Sequence, residues 1–309
     1  MHIALCTYSL LPAHGYGGAQ RVIVWLVRGL VELGHRVTLL AFSGSRVPEA
    51  TVIPLDPGQI RRREFDITGL LPGSIDLLHS HGFLTVTPRV PHVFTLHGNL
   101  RAGRSIPSNT IFLSADHARR HGATAFVYNG TDPREFRFRR EKDGYDLFLG
   151  RLHRVKGYHW ATRGAKRAGV KLVVAGGWRL SLRRELRYVG PVEGSRKAGL
   201  LAGAACLWMP ALWDEPFGLT LIEAMMSGTP VLGTRRGALP EIVSPAVGAL
   251  ADTLEELVEL RSTIDRCEPG DCRSRAERWF SHTSMAQEYV RMYQHYLTKG
   301  SVPPGRAIT

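Results

Sequence analysis

Short apolar runs alternate with longer amphipathic stretches along this chain. Ile3–Thr7 is a compact apolar run that reads as a buried strand. A glycine-bearing loop, Ser9–Gly18, leads into a stretch where Val22, Trp25, Leu26, Gly29, Leu30 and Leu33 share one helical face. Arg21, Arg28 and Glu32 hold the opposite face, Gly34 ends the helix, and Arg36–Phe42 is the next strand. Ile75–Ser80, His92–Leu96, Thr110–Ser114 and Thr124–Tyr128 complete the first set of expected strands. Asn129–Gly144 interrupts the pattern. It holds Asn129-Gly130, Asp132-Pro133 and Asp143-Gly144 beside Arg134, Arg137, Arg139 and Arg140, and reads as a turn-rich linker.

The alternation then restarts. Strands are expected at Tyr145–Leu149, Lys171–Ala175, Cys206–Met209 and Val231–Thr234. Helices are expected at Tyr158–Ala168, Ser195–Ala202 and Leu219–Ser227, and again near Thr253–Asp265 and Ala286–Tyr296. Strand–helix alternation favours parallel sheets covered on both faces. The expected fold class is α/β, with two doubly wound, Rossmann-like domains at residues 1–140 and 141–283. Ligands of such sheets bind beyond the carboxyl ends of the strands, so the expected site is a cleft between facing domains.

The residues after each strand therefore carry the candidate chemistry. Gly15-Tyr16-Gly17-Gly18 opens the first helix, where backbone N–H groups can approach a phosphate. Gln20 occupies the third-glycine position of a dinucleotide fingerprint, and the second strand ends in Ala41-Phe42-Ser43 with no acidic residue, which argues against NAD. A plain flexible turn is the alternative. Further on, Glu215 and Glu223 lie eight residues apart. Pro216 and Gly218 keep the first out of a helix, and the second falls in a helix's first turns. Amides near Phe217–Thr220 would then sit between two carboxylates, an arrangement able to hold a phosphate and sugar hydroxyls. The spacing alone is equally compatible with a loop surface charge and a helix-dipole residue.

Glu215–Glu223, followed by Gly228-Thr229-Pro230-Val231 and Gly237-Ala238-Leu239-Pro240-Glu241-Ile242-Val243, resembles the signature of glycosyltransferase family 4. Matches in the same order are Gly17-Gly18, Thr95-Leu96-His97-Gly98, Asn129-Gly130-Thr131-Asp132, Gly150-Arg151-Leu152 with Lys156-Gly157, and Ala175-Gly176-Gly177. The resemblance runs from Ile3 to about Tyr296. It implies a GT-B fold and a retaining, metal-independent transfer of a sugar from a nucleoside-diphosphate donor, UDP-linked by preference, to an acceptor hydroxyl. No cofactor beyond that donor is implied.

By the same resemblance, Arg151 and Lys156 hold the diphosphate and Glu223 the ribose. Glu215 holds sugar hydroxyls, while Phe217, Gly218 and Leu219 supply backbone N–H groups. Gly17 and Gly18 approach the diphosphate from the first domain, and His97 lies near the reacting carbon. The catalytic set is thus His97, Arg151, Lys156 and Glu215. The family pattern also returns a C-terminal helix, about 284–298, to the first domain, although Tyr289, Met292, Tyr293 and Tyr296 on one face would equally serve a dimer. The stretch Arg179–Arg187 is short for the family, and so is the segment between Gly98 and Thr124, where acceptor-binding elements commonly fall. His79 and His81 stand near a strand end, open to core or supporting roles.

Charge adds one question to this picture. The chain has 309 residues with 40 Lys+Arg against 27 Asp+Glu, a net charge of +13, and only six of the basic residues are lysine. Genome composition produces such an arginine excess; so does selection for an anionic partner. An anionic acceptor or a peripheral contact with anionic membrane fits the Arg61-Arg62-Arg63 run and Arg134–Arg140. The excess is spread over both halves, which argues against nucleic acid as a partner. An enzyme that remodels or hydrolyses the donor, and a basic RNA- or surface-binding protein on this fold, are the alternatives. The longest apolar runs, such as Val22–Val27, fall far short of the roughly 18 residues of a membrane span. Met1–Leu10 lacks a basic start and a cleavage site, so a cytoplasmic location is expected, with the inner membrane face as the peripheral variant. Cys6, Cys206, Cys267 and Cys272 show neither disulfide-framework nor zinc-ligand spacing.

Overall fold

A computed structural model of the chain describes every residue except 14, 16, 61–64, 101, 102, 104 and 309, and the backbone alone of residue 59. Two compact units result. The first comprises Met1–Gly130 and His282–Ala307, the second Thr131–Ser281. The first is built on β1 (His2–Cys6), β2 (Arg36–Phe42), β3 (Thr51–Leu55), β4 (Leu77–Ser80), β5 (His92–Thr95) and β6 (Thr110–Ile111). Its helices are α1 (Gly18–Glu32), α2 (Pro57–Ile60) and α3 (Ala115–Arg120). The strand order is β3-β2-β1-β4-β5-β6, and the pairings are parallel. All of β1 is buried, which is why it reads as an unbroken apolar run rather than an alternating one.

The second unit repeats this plan with β7 (Tyr145–Leu149), β8 (Leu172–Ala175), β9 (Leu186–Gly190), β10 (Ala204–Met209), β11 (Val231–Thr234) and β12 (Gly248–Ala251). The order is β12-β11-β10-β7-β8-β9, again parallel. Helices α4 (Tyr158–Arg167), α5 (Gly194–Gly203), α6 (Leu219–Met226), α7 (Leu239–Ile242), α8 (Leu254–Leu260) and α9 (Pro269–Phe280) complete it. Phe148, Tyr158, Trp208, Leu232 and Leu257 form its core. Inside that core Asp146 accepts hydrogen bonds from Trp208 Nε1 at 2.7 Å and from Arg261 at 2.6 and 2.8 Å. Burial pushes the Asp146 carboxyl above its ordinary range in spite of the guanidinium.

α10 (His282–Lys299) belongs to the first unit. It packs on α1, burying Met285, Ala286, Tyr289, Met292 and Tyr293. A side chain at Gly29 would collide with the His282 carbonyl and meet Ala286 Cβ at 2.8 Å, so this glycine sets the closeness of the two helices. His282 Nε2 lies 2.8 Å from Glu32 Oε2 at the same contact.

Four expectations need revision. The first crossing between units falls at 130/131 rather than 140/141, and the return at 281/282 rather than 283/284. The polar run after Asn129 is not a free linker: Thr131 N–H donates to the Phe280 carbonyl at 2.8 Å, and Phe136 is buried in the second unit. Thr124–Tyr128 forms no strand, since only Phe126 bridges to Phe112. The helix expected through Asp265 ends at Leu260 and continues as a 3-10 turn, Arg261–Arg266, which brings Arg261 to Asp146.

Candidate active site

The direction of the crossovers reverses beside the first strand of each unit, between β1 and β4 and between β7 and β10. Loops leaving the carboxyl ends of two such neighbours diverge, which opens a crevice in each unit. In the second unit those loops carry Arg151–Gly157 after β7 and Pro210–Gly218 after β10.

Lys156 Nζ donates to Glu215 Oε2 at 2.6 Å, and Trp213 Nε1 donates to the same oxygen at 2.7 Å. The ammonium also lies 4.7 Å from the centre of the Trp213 ring. Both charged side chains are largely buried, at 12% and 10% exposed, so the pair is screened far less than a surface bridge. Two glycines lock the two loops around it. Gly157 has φ +71° and a Cβ there would collide with the Pro210 carbonyl. Leu212 N–H donates to the Val155 carbonyl at 2.8 Å beside it. Gly237 has φ +56° and rests against the Glu215 backbone, whose carbonyl accepts from Ala238 N–H at 2.9 Å. The Gly237–Val243 segment thereby supports the loop that carries Glu215.

α6 begins at Leu219, directly after Gly218 with φ +91°. The first N–H groups of a helix have no partner within it, so Gly218–Thr220 present donors and a partial positive charge at the loop end. Phe217 is buried against Phe280, ring centres 6.0 Å apart, which anchors this turn. Glu223 lies one turn into α6, 1% exposed, and Lys197 Nζ of α5 donates to its Oε1 at 2.7 Å. Lys197 also stands 5.6 Å from the centre of the Phe136 ring. Arg151 is exposed, immediately after β7, and its carbonyl accepts from His153 N–H at 2.7 Å.

In the first unit, Gly17 caps α1 and Gly18 is its first residue. A Cβ on Gly17 would press on Ala13 Cβ and meet Gln20 Oε1 at 2.9 Å. Tyr16 of the expected glycine turn lies outside the described residues, as does the Arg61-Arg62-Arg63 run. His97 follows β5, and its Nε2 lies 2.8 Å from Nδ1 of His81, the residue after β4. Burial pulls the imidazole of His97 down to about 4, so it is neutral at ordinary pH.

Of the residues expected at the site, the structure joins Lys156 to Glu215. It does not join Lys156 to Glu223, whose partner is Lys197. Lys197 and Trp213 were missed because a helix lysine and a loop tryptophan carry no local signature of their own. Among the described residues, no group of three His, Cys, Asp or Glu is arranged to hold a metal ion, and no helix is long and apolar enough to cross a membrane.

This pair of doubly wound units with glycine-rich and acidic strand-end loops defines a GT-B architecture. Residues 16–132 match the family model described as Glycosyltransferase Family 4, and residues 131–266 that described as Glycosyl transferases group 1. The chain belongs to glycosyltransferase family 4. It resembles the crystal structure of AviGT4, a glycosyltransferase involved in avilamycin A biosynthesis, at 26% identity and a TM-score of 0.81, over 98% of this chain and 99% of that one. An Anabaena protein, HepE, solved with UDP-glucose, has the same fold at 18% identity and a TM-score of 0.69, over 95% and 99% of the two chains. An uncharacterized glycosyltransferase of Methanocaldococcus jannaschii is 31% identical over 154 residues, 40% of this chain and 39% of that protein. The chain spans less than half the length of the curated relatives it matches first.

Proposed function

We propose that the protein transfers a glycosyl unit from a nucleoside-diphosphate sugar to an acceptor hydroxyl, with retention at the anomeric carbon and without a metal ion or other cofactor. The observation that carries this reading is the Lys156–Glu215 pair at 2.6 Å beside the open N-terminus of α6. Lys156, with Arg151 on the same loop, supplies positive charge to the diphosphate, and the α6 amides supply donors. Glu215, its carboxylate oriented by Trp213, accepts from sugar hydroxyls. Glu223, held by Lys197, accepts from the ribose. By the family resemblance, Gly17 and Gly18 are assigned to the diphosphate and His97 to the reacting carbon.

In this scheme the bond from the anomeric carbon to the phosphate oxygen breaks as the acceptor oxygen attacks from the same face. The acceptor proton passes to the departing phosphate, so no side-chain nucleophile is needed. UDP is the first base to test, since a protein of this fold has been solved with UDP-glucose. The test is to supply the preferred α-linked donor with short alkyl glycosides and phosphorylated polyols, in the presence of EDTA, and to determine the product anomer by NMR. An α-linked product supports the reading, and a β-linked one refutes retention. Release of free sugar alone, with every acceptor, moves the assignment to donor hydrolysis.

A peripheral contact with anionic membrane or an anionic acceptor is part of this reading, and the described surface that suits it is not Arg134–Arg140. Arg134 and Arg139 are paired with Asp132 at 2.8 Å and Asp143 at 2.7 Å. The loop between β8 and β9 instead exposes Trp178 (71%), Leu180 (96%) and Leu182 (96%), interleaved with exposed Arg179, Arg183 and Arg184. Apolar side chains among arginines suit an anionic bilayer surface. Vesicles containing phosphatidylglycerol are expected to sediment the protein and pure phosphatidylcholine vesicles not to; equal binding to both, or to neither, removes the membrane from the account.

A further inference from the structure

The side chain expected beside the reacting carbon is held by a second histidine, which packs on a third that is tied to the last helix. His97 Nε2 and His81 Nδ1 are 2.8 Å apart, so one proton lies between them. The His81 ring packs 4.1 Å from that of His79. His79 is held at both nitrogens, Nδ1 by Tyr293 OH and Nε2 by Thr95 Oγ1, each at 2.7 Å. Thr95 Oγ1 lies 2.9 Å from Tyr289 OH in turn. Tyr289 and Tyr293 come from α10, one helical turn apart, so the C-terminal helix fixes the His79 ring against which His81 packs.

His81 Nε2 is enclosed and has no hydrogen-bond partner among the described residues. That asymmetry decides the tautomer. A neutral imidazole carries one N–H. With the proton on Nε2, His81 would bury a donor facing no acceptor. With the proton on Nδ1, it buries only a bare lone pair at Nε2 and donates to His97. Orphaned buried N–H groups are rarer than under-satisfied acceptors, because each lost donor forfeits its bond to water outright. A charged form is opposed by burial: His79 is pulled down to about 3, and His81 well below its usual range.

We infer that His81 donates its Nδ1 proton to His97 Nε2 and thereby fixes His97 as the Nδ1–H tautomer. His97 then meets the donor as a hydrogen-bond donor, toward a sugar hydroxyl or the leaving phosphate, and not as a base. His81 is a positioning residue in this arrangement. The catalytic consequence rests on the proposed place of His97 beside the reacting carbon; the tautomer itself does not.

The test is a long-range 15N–1H correlation spectrum of the whole, unliganded protein labelled at histidine, at neutral pH. The expected result is a protonated Nδ1 and an unprotonated Nε2 on His97. A protonated Nε2, or an averaged mixture, overturns the inference. His81→Leu should release His97 to a mixture. His81→Asn, whose amide nitrogen takes the place of Nδ1, should restore the single tautomer, and His81→Gln should not. With the donor that stabilises the protein, His81→Leu should lower kcat about 10- to 100-fold, as loss of a supporting hydrogen bond commonly does, with KM changed less than about threefold. His81→Asn should recover most of that loss, a pattern that a packing role alone would not produce. If the tautomer is as inferred and His97→Ala nevertheless turns over donor like the wild type, the placement of His97 fails and the tautomer stands.

Discussion

Replacing Lys197 by methionine isolates the least exposed charge in the proposed donor site. Lys197 Nζ and Glu223 Oε1 are 2.7 Å apart, with the side chains 10% and 1% exposed. At an effective dielectric constant of about 20 their attraction is about 6 kcal/mol. Desolvation costs several kcal/mol for each ion, so the intact pair is worth little against an apolar pair of equal volume. Losing one partner is a different matter. Lys197→Met leaves the Glu223 carboxylate buried without its ammonium, which should cost about 3–5 kcal/mol of stability. Lys197→Met combined with Glu223→Leu should cost less than Lys197→Met alone, and so well below the sum of the two single changes, a non-zero coupling energy. Five of the six tryptophans lie in the second unit, so urea unfolding followed by tryptophan fluorescence reports on it. A loss below about 1 kcal/mol in Lys197→Met would refute the reasoning, because a carboxylate so enclosed cannot be indifferent to its counter-ion.

Acid should weaken the first unit. Burial pulls His79 and His117 down to about 3 from 6.5, so the unfolded chain takes up protons first, and stability is whole above about pH 6.5 and lost below it. Each should cost about 1.4 kcal/mol at pH 5.5, and a first-unit unfolding midpoint, read from Trp25 in a variant whose other five tryptophans are phenylalanine, that is unchanged between pH 7.5 and 5.5 would contradict this. Gly157→Ala should destabilise the second unit by about 2 kcal/mol or more through a strained left-handed backbone and a clash with the Pro210 carbonyl, and it should weaken donor binding by displacing Lys156. Unchanged melting and affinity would show that the two loops are not locked as described.

The central strands of both sheets were legible because they are buried on both faces and read as plain apolar runs. The strands left unread, β3, β9 and β12, all lie at sheet edges. Thr51–Leu55 has a proline inside it and four of its five residues outside the buried class, which dilutes the run. α9 opens on Pro269-Gly270-Asp271, which as sequence reads as a turn, whereas proline at a first helical position is well tolerated. Glu215, Glu223 and Lys156 stand out in the sequence through a motif whose glycines have mechanical reasons in the structure, Gly157 and Gly237 above all. Lys197 and the His81–His79–Tyr293 chain do not, because their meaning comes from contacts between residues far apart in sequence.

The measurement that tests the central claim most directly is the melting temperature in the presence of UDP, GDP and ADP, each with and without its sugar and alongside the bare nucleosides. It is run on the wild type and on the double variant Arg151→Ala, Lys156→Ala. A ligand at about 100 times its dissociation constant should add roughly 2.7 kcal/mol to the folded state. The account predicts stabilisation by one nucleoside diphosphate and its sugar, none by its nucleoside, and loss of the shift in the double variant. A wild type that responds to none of them, or a double variant that responds as the wild type does, would contradict it.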